Sequence, residues 1–283
     1  MRLNRMRGWI VLSLFAVMPV LAQTGGNTVA ERVAEVRQQL EGQGYNIVAE
    51  INHAAGAASV GLTLRPTTVV VATHPWLDGL MIRRSQRSAL DLPLKYLVYE
   101  AADGAIELEY KNIGFELDRH DVRITDPLLR VQQVVRTQFG DLPDGVTEVV
   151  STRSFEGTLE ALFAALASRN LRVPVEGGID FRQVAAGRGM HLRPTTLVLF
   201  GNPNIGTPLM QNDQSIGLDL PQKMLVYQSR GGEVILAYNE PAFLAGKHAL
   251  QNDADPGPVT LDQRLTNISN ALAGIASEAA GTP

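Results

Sequence analysis

The chain has 283 residues and no cysteine, so disulfides, a thiol nucleophile and thiolate metal sites are all excluded. It carries 25 Lys+Arg against 29 Asp+Glu. Without the three N-terminal arginines the balance is 22 basic against 29 acidic residues, a formal charge of −7, which lacks the basic footprint of a nucleic-acid or anionic-lipid binder.

The first residues, "MRLNRMRGWIVLSLFAVMPVLAQ", read as an export signal. Arg2, Arg5 and Arg7 precede an apolar run from Trp9 to Val20, and small residues lead to a cut after Ala22. The run falls short of the roughly 20 residues of a spanning helix. The expectation is therefore a signal peptide over 1–22, a periplasmic location, and no stable membrane insertion after cleavage.

The next elements form an α+β unit. Thr28 and Glu31 make a T-x-x-E capping box, and Val29, Val33, Val36 and Leu40 recur at helical spacing before Gly42 and Gly44. "YNIVAEI" (Tyr45 to Ile51) and "TTVVVAT" (Thr67 to Thr73) read as strands. "KYLVYE" and "AIELEY" form a hairpin across Asp103-Gly104. A short helix is expected to end at His120, and Asp126-Pro127 opens a longer one. "GDLPDG" (Gly140 to Gly145) is the linker, giving domains at 23–140 and 146–283.

The second domain repeats the first. "LRPTTVVVATHP" from Leu64 returns as "LRPTTLVLFGNP" from Leu192, an offset of 128 residues. The same offset aligns "ALDLPLKYLVY" with "GLDLPQKMLVY" and His120 with His248, with roughly a third of positions identical from Ile51 to His120. The second copy adds "VTEVVSTRSF", an opening strand, so the first sheet is expected to lack one edge strand. Its helices carry Leu159, Leu162, Phe163 and Leu166, and then a stripe of Leu261, Leu265, Ile268, Leu272 and Ile275.

Candidate chemistry is sparse. Arg65 and Arg193 read either as intradomain salt bridges to Asp91 and Asp219 or as anion-binding groups. Lys95 and Lys223 read as solvated edge charges rather than bases. His120 and His248 suit the C-terminal end of a helix dipole. "GNPNIGTPLM" (Gly201 to Met210) reads as a rigid turn with exposed amides, able to cradle an anion. His53, beside small residues, is a candidate pocket residue. No nucleotide-binding, zinc or G-x-S-x-G motif is present, so no catalytic residue, metal or cofactor is assigned.

The segments "INHAAGAASVGLTLRPTTVVV", "LDLPLKYLVYE", "LRPTTLVLFGNPNIGTPLM" and "LDLPQKMLVYQ" resemble the domain-of-unknown-function 302 family. The resemblance implies compact α+β domains, a mostly antiparallel sheet with helices on one face, and frequent dimerisation. It implies no activity. Two copies in one chain are then expected to pack as a pseudo-dimer, each a two-layer sandwich, in a monomeric protein.

The copies diverge at His53 against Phe181 and at "ATHPWLDG" against "GNPNIGTP". Two accounts stay open. Either both sites decayed or none existed, or one composite site survives between the copies. The composite version places His53 and Arg65 opposite Gly201 to Thr207, leaving the other site blocked by Phe181 and Trp76. The ligand-binding candidates are therefore His53, Arg65, Arg193, Gly201, Asn202, Gly206 and Thr207. The leading function is a non-catalytic binding or interaction module for a small molecule or anion. The alternatives are an enzyme using His53 with Arg65 or Arg193, and an envelope-interaction protein.

Overall fold

The computed structural model describes residues 28–111, 119, 120, 122, 144–252 and 259–282. The export signal and the helix opened by Asp126-Pro127 lie outside the described residues.

The first copy opens with α1 (Val29–Gly42), whose capping box between Thr28 and Glu31 is formed. Strand β1 (Asn46–Asn52) leads directly into the short α2 (His53–Ala58), and β2 (Thr67–Thr73) into α3 (Pro75–Arg84). A 3-10 turn (Gln86–Leu90) precedes the hairpin of β3 (Leu94–Glu100) and β4 (Ile106–Tyr110). Gly104, at φ +85°, supplies the left-handed residue that the hairpin turn requires.

The second copy adds β5 (Val146–Ser151) and α4 (Phe155–Ser168), then repeats the pattern. It runs through β6 (Ile179–Asp180), α5 (Phe181–Ala186), β7 (Thr195–Phe200) and α6 (Pro203–Asn212). A second 3-10 turn (Gln214–Leu218), β8 (Gln222–Gln228), β9 (Val234–Asn239), α7 (Pro241–Lys247) and α8 (Leu261–Ala280) complete it.

Both sheets are antiparallel. Their orders are β1-β2-β3-β4 and β5-β9-β8-β7-β6, four strands against five among the described residues. The register repeats with the sequence: Thr67 faces Tyr99, and Thr195 faces Tyr227. The chain is therefore an α+β protein of two tandem sandwich units.

Each sheet has two buried faces, for different reasons. On the outer face of the first sheet, Val70, Ala72, Tyr96 and Val98 share a core with the Val29–Leu40 stripe of α1. On the outer face of the second, Val198, Met224, Val226 and Leu236 pack with Leu162 of α4 and the Ile268, Leu272, Ile275 stripe of α8. The inner faces are covered by the other copy. The first 3-10 turn packs on β7, β8 and β9, and the second on β2, β3 and β4. Val69 and Leu97 thus meet Leu218, and Gly217 lies so close that a Cβ there would come 3.0 Å from Leu97 Cδ1. Val69, Leu97, Leu197, Leu199 and Leu225 are all fully buried. At roughly 2 kcal/mol each, their burial amounts to about 10 kcal/mol. That is comparable with the whole stability of a domain, so neither copy has a complete core without its neighbour.

Candidate functional site

The arginines of the two L-R-P-T-T motifs hold the copies together. Arg65 Nε donates to Gln214 Oε1 at 2.9 Å, and Gln214 Nε2 donates to Thr67 Oγ1 at 2.9 Å. The mirror contacts run from Arg193 Nε to Gln86 Oε1 at 2.6 Å and from Gln86 Nε2 to Thr195 Oγ1 at 2.9 Å. Each arginine also donates to its own copy, at the carbonyls of Glu100 (3.0 Å) and Gln228 (3.3 Å). These paired contacts display the pseudo-two-fold relation directly. They also replace both readings of Arg65 and Arg193: neither pairs with Asp91 or Asp219, and neither lines the cavity described below.

Asp91 and Asp219 instead anchor a buried ion network on the inner faces. Lys111 Nζ lies 2.7 Å from Asp91 Oδ1 and 2.8 Å from Asp219 Oδ1, bridging the copies. Lys223 approaches the same two carboxylates at 3.2 and 3.7 Å. Arg119 and His120 complete Asp91 at 2.6 and 2.7 Å, and Lys247 and His248 complete Asp219 at 3.1 and 2.9 Å. Burial alone would raise both carboxyls, but Lys111 and the other cations outweigh it and hold them well below the usual range.

Lys95 and Lys223 are therefore not solvated edge charges, since each is only 2% exposed. Burial, followed by repulsion from Lys223 and Lys111, lowers the Lys95 amine well below its ordinary value. Its Nζ donates to the Leu220 carbonyl at 3.1 Å. His248 does cap α7, but its ring is committed to Asp219. The network departs from symmetry where Arg119 stands against Lys247, where Lys95 meets a carbonyl but Lys223 the carboxylates, and at Lys111. The counterpart of Lys111 is Asn239, whose Oδ1 accepts from Arg119 at 2.7 Å.

A cavity of about 610 Å³ opens beside this network, lined by both copies. The first copy contributes Asn52, His53, Ala55 and Gly56 from the β1–α2 corner. The second contributes Gly201 to Thr207, followed by apolar residues of α6 and α8. The contact is close, since a Cβ on Gly56 would lie 3.7 Å from Pro203 Cγ. The structure thus brings together His53, Gly201, Asn202, Gly206 and Thr207 around one space.

Local sequence explains how the two ends meet. Asn52 caps α2 by accepting from Ala55 N at 2.8 Å, which fixes His53 as the first helical residue. Asn202 caps α6 by accepting from Asn204 N at 3.0 Å, and Pro203 takes the first helical position. The expected rigid turn is therefore a helix from Pro203 onwards. The Asn-Pro start signal was present in the sequence, and the density of glycine and proline obscured it.

His53 is 9% exposed. Burial, aided by the nearby Lys95, lowers its pKa to about 4, while the Gly217 backbone pulls the other way. Nε2 is buried without a partner among the described residues. Thr207 Oγ1, fully buried, is likewise unpartnered.

The equivalent place in the other half is filled. Phe181, the counterpart of His53, is fully buried in the core shared by the two copies. Gly79, the counterpart of Thr207, lies under Met190, and a Cβ there would come 2.5 Å from Met190 Cε. Trp76 does not block it, being 38% exposed. Met190 takes that part instead, and nothing in its own segment of sequence signals this role.

Comparison with known proteins identifies the family. The family described as "Domain of unknown function DUF302" matches residues 22–136 and again residues 147–272. The curated relatives include the fluoride-specific ion channel FluC 1 of Brucella suis biovar 1 (strain 1330), 38% identical over 114 residues, 40% of this chain and 44% of that protein. FluC 2 of Brucella melitensis biotype 1 is 38% identical over 114 residues, 40% of this chain and 42% of that protein. The chain thus spans less than half the length of these relatives. No helix among the described residues is long and apolar enough to cross a membrane. A crystal structure of an uncharacterised conserved DUF302 protein from Bacillus stearothermophilus is 18% identical, with a TM-score of 0.41, covering 48% of this chain and 98% of that one. With two matches spanning most of its length, the chain belongs to the DUF302 family and carries its domain twice.

Proposed function

We propose that this chain is an exported, monomeric binding protein that holds one small molecule in the cavity between its two copies. The observation that carries this reading is a largely apolar cavity of about 610 Å³ lined by both copies, whose counterpart in the other half is filled by Phe181 and Met190. The volume lies within the range of small-molecule sites.

Binding is favoured over catalysis because the described lining residues include only three titratable side chains, His53, Arg172 and Arg264. A neutral histidine with no acid or nucleophile beside it has no partner for acid–base work. The channel activity named for the Brucella proteins is not carried over, since the match covers less than half of each. The export reading rests on the N-terminal sequence.

N-phenylnaphthylamine, an uncharged apolar fluorophore, tests the site. The purified protein should enhance its fluorescence with one-to-one stoichiometry. Ala271→Trp, on the exposed rim of the cavity, should abolish that enhancement while leaving the thermal midpoint unchanged. No enhancement by the wild type, or equal enhancement by the tryptophan variant, would overturn the reading.

A further inference from the structure

The lining of the cavity sorts ligands by charge. Most of it is apolar, with Leu171, Phe200, Leu209, Met210, Ile268 and Leu272. The described lining contains no carboxylate, so a ligand ammonium finds no counter-ion there. Two arginines line it, and both are already engaged. Arg172 is exposed and donates to Ser59 Oγ at 3.1 Å, and the half-buried Arg264 has a partner of its own. An ion pair with an exposed guanidinium contributes little, because water screens it. A carboxylate drawn into so apolar a space loses more in hydration than such a pair returns. A charged ligand group of either sign is therefore disfavoured.

What is polar and accessible in the lining is chiefly amide. Asn204 of α6 and Asn267 of α8 are exposed, and Gln222 of β8 is half-buried. The side-chain oxygens of Asn52 and Asn202, which also line the space, are committed to helix caps. A carboxamide carries both donors and an acceptor and no charge. It suits a ligand group of the same kind, a hydroxyl or an ester, which replaces the water on the amide without needing a counter-ion.

Resting on the binding reading above, we propose that the ligand is an uncharged amphiphile, with an aliphatic body in the apolar part of the cavity and a neutral head of hydroxyl or ester groups held by Asn204, Gln222 and Asn267. A monoacylglycerol has this chemistry.

The test is displacement of N-phenylnaphthylamine at neutral pH by ligands with matched chains: dodecanol, the monododecanoyl ester of glycerol, dodecanoate and dodecylammonium, each kept monomeric. Both neutral ligands should displace the probe about tenfold better than either ion, and the glycerol ester should be several-fold better than dodecanol. Asn204→Ala with Asn267→Ala, both at exposed positions, should remove the advantage of the ester over dodecanol. Should the probe bind while dodecanoate or dodecylammonium competes as well as dodecanol, the ligand class is wrong and the binding site stands. Should the ester bring no gain, or the double variant keep that gain, the assignment of the head to the amides is wrong. A probe that never binds defeats the underlying reading instead.

Discussion

At the scale of single residues, His53 and Phe181 show how one position of a repeated motif can serve two ends. Both begin a short helix after a capped corner, at Asn52 and Asp180, and both are buried. Phe181 contributes packing alone. His53 keeps a ring of similar shape but brings two nitrogens, one of them unpartnered. That nitrogen makes stability depend on pH. With a folded pKa of about 4 against 6.5 unfolded, the unfolded chain binds the proton first as pH falls. His53 therefore contributes fully above pH 6.5, and that contribution is lost as pH drops through about 4. The loss is on the order of 3 kcal/mol. His53→Phe should remove this dependence, so urea midpoints of wild type and variant should diverge between neutral pH and pH 4, the variant falling less. Parallel curves would show that His53 is not buried as a neutral ring.

At the scale of elements, the two 3-10 turns are the parts that leave their own sheets. Each carries one glutamine that accepts from an arginine and donates to a threonine of the opposite copy. Gln86→Leu and Gln214→Leu should each cost about 1–2 kcal/mol, because a part-buried arginine contact and a buried threonine hydroxyl lose their partner together. Chemical denaturation of both variants would reveal the symmetry as matched losses, whereas a loss at only one site would break it. The elements themselves were legible in sequence wherever a local signal set them. The α1 capping box, the β-branched strand at Thr67–Thr73 and the α8 stripe all appear as read. What stayed hidden had its cause elsewhere in the chain. Lys95 looked solvated because its burial comes from a turn more than a hundred residues away, and Gln86 carried no motif at all. The candidate site was half legible. Divergence between the copies pointed to His53 and to Gly201–Thr207, which do share one cavity. The arginines misled because a strand-edge guanidinium reads alike whether its partner is a ligand or a neighbouring copy.

At the scale of the molecule, duplication changed what symmetry allows. In a homodimer of either copy, the positions of Lys111 and Asn239 would be identical, placing two lysines or two asparagines around the paired carboxylates. Here one lysine bridges Asp91 and Asp219 while the asparagine turns to Arg119. The cavity follows the same logic, with one site open and its counterpart filled by Phe181 and Met190. Such an arrangement needs the two copies to be different, and it needs them to remain in contact. Covalent linkage supplies the contact during folding by raising the effective concentration of each half. Once folded, the inner faces, the paired glutamine–arginine contacts and the ion network hold the halves without it. A protease site inserted after Gly140, between the two family matches at 22–136 and 147–272, should therefore be cleavable in the native state without separation. The nicked halves should co-elute in size-exclusion chromatography and unfold in one transition. They should part only in denaturant and, lacking a covered inner face, fail to regain native exchange protection when refolded singly. Dissociation of the nicked protein in native buffer would mean that the contacts between the copies are too weak to define a shared site.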